Sequence, residues 1–169
     1  MQFAIVLGFD KIKQIDDAVD KIAKEVNPFF LDSGYFPHVT LIVYEADNVD
    51  SVKKFFQIRP FKLSIKTQGI SGFYGEKSTV FIEVEKNKDL EKLHDKYLRI
   101  TDIQLSDYYT TENYRPHITL ATDLNEEQLP LAKAIVDNIK VPKTIQPTHV
   151  SLIDSTAKPY KVIGTVVIR

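Results

Sequence analysis

The sequence contains no cysteine and no tryptophan, one methionine and only four histidines in 169 residues. Without cysteine there is no disulfide, no thiolate nucleophile and no Cys-ligated zinc, an absence that fits a reducing compartment. Neither sign of charge is in excess: 22 Lys and Arg face 23 Asp and Glu, for a net charge of −1. A broad electrostatic grip on duplex nucleic acid needs a basic face, which this balance does not supply. A small anion stays compatible, because one locally positive cleft can form on a neutral protein. No apolar run approaches the roughly 18 residues of a membrane span. The first ten residues, Met1 to Asp10, lack the basic start and cleavage site of a signal peptide. These absences predict a cytoplasmic protein that acts as a monomer, with no membrane and no duplex partner.

What is present suffices for a core. Hydrophobic residues make up 43% of the chain, too many for a disordered one. The length fits one domain, or two small lobes sharing a core. Residues 2–9 read as a strand. Ile15, Ala18, Val19, Ile22, Ala23 and Val26 fall at helical spacing, which predicts a helix from Asp16 or Asp17 to about Val26, stopped by Asn27-Pro28. A β-branched run over 37–44 predicts a strand. Asp47 or Asn48 caps a short helix through Phe56, and 61–66 alternates as another strand. The order is βαβαβ.

The second half repeats it, with a strand at 79–84, a helix at 88–99, a strand at 114–121 and a helix from Asn125 to about Ile139. Two or three strands follow within 141–169. The glycine-rich stretch Gly69 to Gly75 reads as the connection between the halves. The pattern predicts an α+β protein: a duplicated βαβαβ two-lobed fold with pseudo-twofold symmetry and a central cleft between antiparallel sheets. It is one domain over 1–169, with lobes of about 1–72 and 73–169.

A short internal repeat points to the chemistry. Pro37-His38-Val39-Thr40-Leu41 recurs as Pro116-His117-Ile118-Thr119-Leu120. In a strand, residues i and i+2 share a face, so His38 lies beside Thr40 and His117 beside Thr119, with Val39, Leu41, Ile118 and Leu120 behind them in the core. Packing accounts for the aliphatic positions but gives no reason for His and Thr opposite them. A pseudo-twofold joining the two strands places two imidazoles and two hydroxyls around one pocket. That set suits attack on a phosphodiester. A neutral His takes a proton from the nucleophile and a protonated one gives a proton to the leaving oxygen; an ordinary pKa of about 6.5 allows both forms near neutrality. The Thr hydroxyls hold the non-bridging oxygens. The scheme uses no metal and no cofactor, and the two isolated His-x-Thr pairs lack the ligand spacing of a zinc or non-haem iron site.

Phe36-Pro37-His38-Val39-Thr40-Leu41 and Tyr114-Arg115-Pro116-His117-Ile118-Thr119-Leu120-Ala121 resemble the paired His-x-Thr motifs of the two-histidine (2H) phosphoesterase superfamily, most closely its 2'-5' RNA ligase-like cyclic phosphodiesterase branch. Gly72-Phe73, and Leu152-Ile153-Asp154-Ser155 followed by Tyr160, extend the likeness over nearly the whole chain. The resemblance implies hydrolysis or transesterification of phosphodiesters with a vicinal hydroxyl, such as 2',3'-cyclic phosphates and 2'-5' linkages in RNA-derived or nucleotide substrates. It implies acid and base roles for His38 and His117, in either order, and phosphate contacts for Thr40 and Thr119. Many members carry a basic residue soon after the second motif, where this chain has Ala121-Thr122-Asp123. Arg115, or Lys158 and Lys161, are candidates to substitute.

Phe36, Tyr114, Arg115 and Tyr160 stand out as further candidate substrate contacts, and Tyr35, Phe73, Tyr74, Tyr108 and Tyr109 as candidate stacking faces for a base. His149, in Thr148-His149-Val150-Ser151, mimics a third motif and is expected at the rim or in a structural role. His94, in a charged helical run, is expected to face solvent. The alternative to an enzyme is a nucleotide or RNA-end binding module with little turnover; a structural protein with a vestigial cleft is a third reading.

Overall fold

The computed structural model describes residues 1–99, 104–105 and 107–168. Chain order among them is β1 (Gln2–Phe9), α1 (Lys13–Glu25), β2 (His38–Glu45), α2 (Val49–Lys53), β3 (Ile65–Phe73), β4 (Ser78–Val84), α3 (Lys88–Leu98), β5 (Gln104–Leu105), β6 (His117–Leu124), α4 (Gln128–Val136), β7 (Thr144–Ile145), β8 (Pro147–Asp154) and β9 (Lys161–Val167).

Local chemistry sets most boundaries. The side chains of Asn48 and Asn87 accept backbone N–H bonds at the starts of α2 and α3, satisfying donors that a helix start leaves unpaired. Helix α1 buries Ile15, Ala18, Val19, Ile22 and Ala23 along one stripe. It begins at Lys13, ahead of the expected Asp16, with an exposed Lys13–Asp17 pair on its first turns. Proline has no N–H to give a ladder, so β2 and β6 begin at the His after Pro37 and Pro116.

The strands form one antiparallel sheet in the order β7-β3-β4-β6-β2-β1-β8-β9, with β5 on β2. The two expected antiparallel halves are therefore continuous, and they join where Val39 of β2 pairs with Ile118 of β6. Space does not follow chain order: β3 lies with β4 and β6, whereas β8 and β9 lie with β1 and β2. Each motif strand is flanked outward by the strand that opens its own half, β1 beside β2 and β4 beside β6.

One stretch differs from expectation. The strand expected at 61–66 runs instead over Ile65–Phe73, and the glycine-rich segment lies largely inside it. Gly69 adopts φ +110° where the register with β4 shifts between Thr67 and Gly69. It supplies the left-handed conformation of a bulge, so the ladder continues through a segment whose composition suggests a loop.

Side-chain pairing carries a row of aliphatic residues across seven strands: Ile70, Ile82, Ile118, Val39, Leu7, Val150 and Val166. The central five are fully buried and belong to a core that also takes in Ile15, Val19 and Ile22 of α1, Leu90 of α3 and Ala132 and Val136 of α4. The core thus spans both sides of the central join. Ile118→Ala is expected to cost about 2–5 kcal/mol while leaving a single cooperative urea transition. Two separate transitions in wild type or variant would contradict a shared core.

Candidate active site

His38 and His117 are the first residues of the two strands that meet at the centre of the sheet. Residues opposite one another in an antiparallel pair share a face, and their neighbours point the other way. With Val39 and Ile118 paired and buried in the core, His38, Thr40, His117 and Thr119 all point to the opposite face. The same register sets His38 against Thr119 and Thr40 against His117, about a local twofold through the Val39–Ile118 pair.

Both imidazoles are tied down alike. His38 Nδ1–H donates to the carbonyl of Phe36 at 2.7 Å, and His117 Nδ1–H donates to the carbonyl of Arg115 at 2.6 Å. A carbonyl only accepts, so Nδ1 carries the proton and Nε2 of the neutral ring keeps its lone pair. Two tyrosines, each three residues before its His, hold the opposite strand. Tyr35 donates to the carbonyl of Thr119 at 2.7 Å, and Tyr114 donates to the carbonyl of Thr40 at 3.2 Å. The repeat is therefore Tyr-x-Pro-His-x-Thr-Leu in both copies, and its outermost residue is a reciprocal clamp across the join.

Next to this near-symmetry stands one difference. The residue paired with His38 on its outer side is Gly8, and the one paired with His117 is Glu83. Burial pushes the His38 pKa down to about 4, and the nearby His117 lowers it further. Burial also lowers His117, and Arg115 adds to this, but the Arg115 carbonyl and the Glu83 carboxylate work in the opposite direction. Arg115 is fixed in turn, its Nε donating to Glu83 at 2.9 Å and its Nη2 to Ser71 at 3.0 Å, with its guanidinium 5.3 Å from the Phe73 ring.

Two cavities adjoin on this face. One of about 360 Å³ is lined by His117, Thr119, Thr122, Arg115, Phe73, Thr79, Tyr108, Tyr109 and Asn113. The other, about 230 Å³, is lined in part by His38, Thr40, Thr119, Thr122, Tyr35, Ser155 and Tyr160. Thr119 and Thr122 belong to both. Tyr108 is the most open of these aromatics at 80% exposure. Thr122 shares a 2.8 Å hydroxyl hydrogen bond with Thr79, and Lys77 pairs with Asp123 at 3.5 Å.

Of the candidates beside the motifs, Arg115 and Tyr160 reach the cavities and Phe36 and Tyr114 do not. Phe36 packs on Ala4, Val6 and Ile153, with its ring 5.1 Å from His38. Tyr114 is buried and turned to support the site. The expectation of a solvent-facing His94 is corrected: it is 2% exposed, stacked at 3.8 Å on Tyr114, with Nε2–H donating to the Tyr109 carbonyl. The apolar stripe of α3 includes it because Leu90, His94 and Tyr97 share one buried face. His149 lies outside the two cavities, its ring filling the space that a Cβ on Gly8 would take. Tyr74 is exposed and also outside them. Sequence reasoning misses the clamping role of the two tyrosines and the place of Thr122, although the equal spacing of Tyr35 and Tyr114 to their His carries the signal for the first.

A family model described as the 2'-5' RNA ligase superfamily matches residues 6–159. The chain belongs to that superfamily. Membership supports phosphodiesterase-type chemistry and an enzyme. Solved structures with a similar fold include a phosphoesterase at 13% identity and TM-score 0.60, covering 99% of this chain and 97% of that one. Another is E. coli LigT complexed with 3'-AMP, at 14% identity and TM-score 0.59 with the same coverage, and a third is E. coli LigT complexed with ATP, at 11% and 0.57, covering 99% and 97%. At these identities the likeness shows the shared two-lobed fold. No curated protein matches the chain. Among the described residues, no helix is long and apolar enough to cross a membrane.

The buried His38 has a consequence for stability. The folded chain takes up that proton only near pH 4, whereas an unperturbed His does so near 6.5. The unfolded state therefore binds more protons as pH falls between these values. Stability from keeping His38 neutral is complete above about pH 6.5 and declines by on the order of 3 kcal/mol towards pH 4. Urea midpoints measured from pH 7 to pH 4 should fall more steeply in wild type than in His38→Ala. Equal slopes would contradict a buried, neutral His38.

Proposed function

We propose that the chain is a metal-independent phosphodiesterase for small RNA-derived or nucleotide substrates, acting on a 2',3'-cyclic phosphate or a 2'-5' linkage. In this reading 1–169 is one catalytic domain, with the cleft where the β1-β2-β8-β9 side of the sheet meets the β3-β4-β6-β7 side, a division that crosses the chain-order lobes of about 1–72 and 73–169. One observation carries the proposal: two imidazoles with Nδ1 tied back, Nε2 left for chemistry, and two Thr hydroxyls on the same face across a pseudo-twofold join.

The unlike neighbours of the two His divide the roles. His38, beside Gly8 and held neutral, is the base in the hydrolytic direction. Its Nε2 removes a proton from water as the water oxygen bonds to phosphorus. His117, beside Glu83, is the acid; a bound phosphate anion favours its protonated form. Its Nε2–H passes a proton to the leaving ribose oxygen as the P–O bond breaks, giving a phosphomonoester and a free vicinal hydroxyl. Thr40 and Thr119 donate to the non-bridging oxygens. Arg115, positioned by Glu83 and Ser71, supplies a positive charge within the larger cavity and answers for the basic residue missing from Ala121-Thr122-Asp123.

The cavities on either side of Thr119 and Thr122 suit a ligand with the phosphate at the centre. Tyr160 and Tyr35 offer rings on one side, and Phe73 and Tyr108 on the other. The solved LigT complexes with 3'-AMP and ATP support a nucleotide as the ligand class.

The test is hydrolysis of 2',3'-cyclic nucleotides and 2'-5' dinucleotides with EDTA present. His38→Ala and His117→Ala are each expected to lose about 10²–10⁴ in rate, and kcat/KM should trace a bell. Its acid limb lies near pH 4, from His38, and its alkaline limb lies below 6.5, from His117. Activity abolished by EDTA, or a flat profile between pH 5 and 8, would overturn the mechanism. Tight nucleotide binding without turnover would favour a binding module.

A further inference from the structure

The helix face of the sheet carries a second concavity. Val166 pairs with Val150, Val150 with Leu7 and Leu7 with Val39, so Val166 shares the face of Val39 and lies opposite His38 and Thr40. Val166, with Leu93 and Tyr97 of α3, borders a trough of about 920 Å³ walled by the segment 54–61.

The lining is basic and aromatic. Among the described residues that line it, Lys54, Arg59 and Lys96 are charged and none is a carboxylate. The stretch 51–61 that carries this wall holds three of the 22 basic residues of the chain, Lys53, Lys54 and Arg59, and none of the 23 acidic ones. Among the described residues Lys54 and Arg59 make no ion pair. The Lys54 ammonium sits 4.6 Å over the ring of Phe55. That ring is half-buried yet belongs to neither apolar cluster, so it serves the wall and not the core. Lys96 donates to the carbonyl of Gln57, tying α3 to the wall. Among the described residues the buried Tyr97 hydroxyl has no hydrogen-bond partner, an unfinished polar contact beside the trough.

Charge alone would suit any polyanion. A concave wall with an unpacked aromatic ring next to cations narrows the choice, because a strand of nucleotides brings phosphates and planar bases together. An acidic peptide leaves Phe55 without a planar partner, and a lipid surface is too flat to enter. We infer that this trough binds single-stranded RNA, with Lys54, Arg59 and Lys96 on phosphates and Phe55 under a base. The choice of RNA over DNA rests on the proposed cleft chemistry, which needs a vicinal 2'-hydroxyl; the site itself does not. Because the trough and the cleft open on opposite faces, both can be occupied at once.

The experiment is fluorescence anisotropy of labelled octauridylate at several salt concentrations. Lys54→Glu/Arg59→Glu should weaken binding at least tenfold near 50 mM salt. It should also flatten the slope of log K against log[salt] by about 1.4, since each neutralised phosphate of a single strand contributes about 0.7. Phe55→Ala should weaken binding by at least about fivefold. Both variants should keep wild-type hydrolysis of a cyclic mononucleotide. If the wild type hydrolyses none, the cleft reading fails, circular dichroism reports folding instead, and the binding result still decides the trough. Unchanged affinity in both variants would overturn the inference. So would displacement of the RNA by inorganic polyphosphate or polyglutamate as readily as by unlabelled octauridylate, tighter binding of octathymidylate, or a loss confined to Thr40→Ala/Thr119→Ala.

Discussion

The pairing of Val39 with Ile118 is the constraint on which the rest depends. It is the point where the two sides of the sheet meet, and its antiparallel geometry makes a local twofold unavoidable. Once two aliphatic side chains are buried there, alternation sends His38, Thr40, His117 and Thr119 to the other face without further instruction. The reciprocal bonds from Tyr35 and Tyr114 then hold the threonine carbonyls on the facing strands. The hydrophobic join and the polar site are two faces of one short ladder.

A pseudo-symmetric scaffold is a poor start for a reaction that needs an acid and a base. Two identical imidazoles with the same tautomer and the same burial would titrate alike. The chain breaks the tie one strand further out, where Gly8 stands beside His38 and Glu83 beside His117. Gly8 cannot carry charge or even a Cβ, since the ring of His149 occupies that space. Glu83 brings a carboxylate, held by Arg115. The division of labour proposed for the two His thus comes from residues outside the repeat.

Much of this was legible in the sequence, where local spacing and global structure agree. The helical stripe of α1, the cap at Asp47 or Asn48 and the doubled Pro-His-x-Thr-Leu are short-range patterns, and each survives folding with shifts of a few residues. Three things were not legible. The glycines of β3 look like a connection because a bulge and a loop use the same residue. His94 looks exposed because its neighbours in sequence are charged, while the partner that buries it, Tyr114, is distant in the chain. The contribution of Glu83 depends on strand register between segments more than thirty residues apart, which composition does not encode.

The crossed tyrosine clamps have a consequence for how such a site can change. Each clamp originates in one motif and ends on the backbone of the other, so neither half can be retuned alone: a shift of one strand drags the opposite threonine with it. Divergence in substrate must then accumulate in the outer walls, at side chains such as Tyr108, Phe73 and Tyr160, which border the cavities without bracing the join. The centre is locked by mutual dependence, and novelty is left to the periphery.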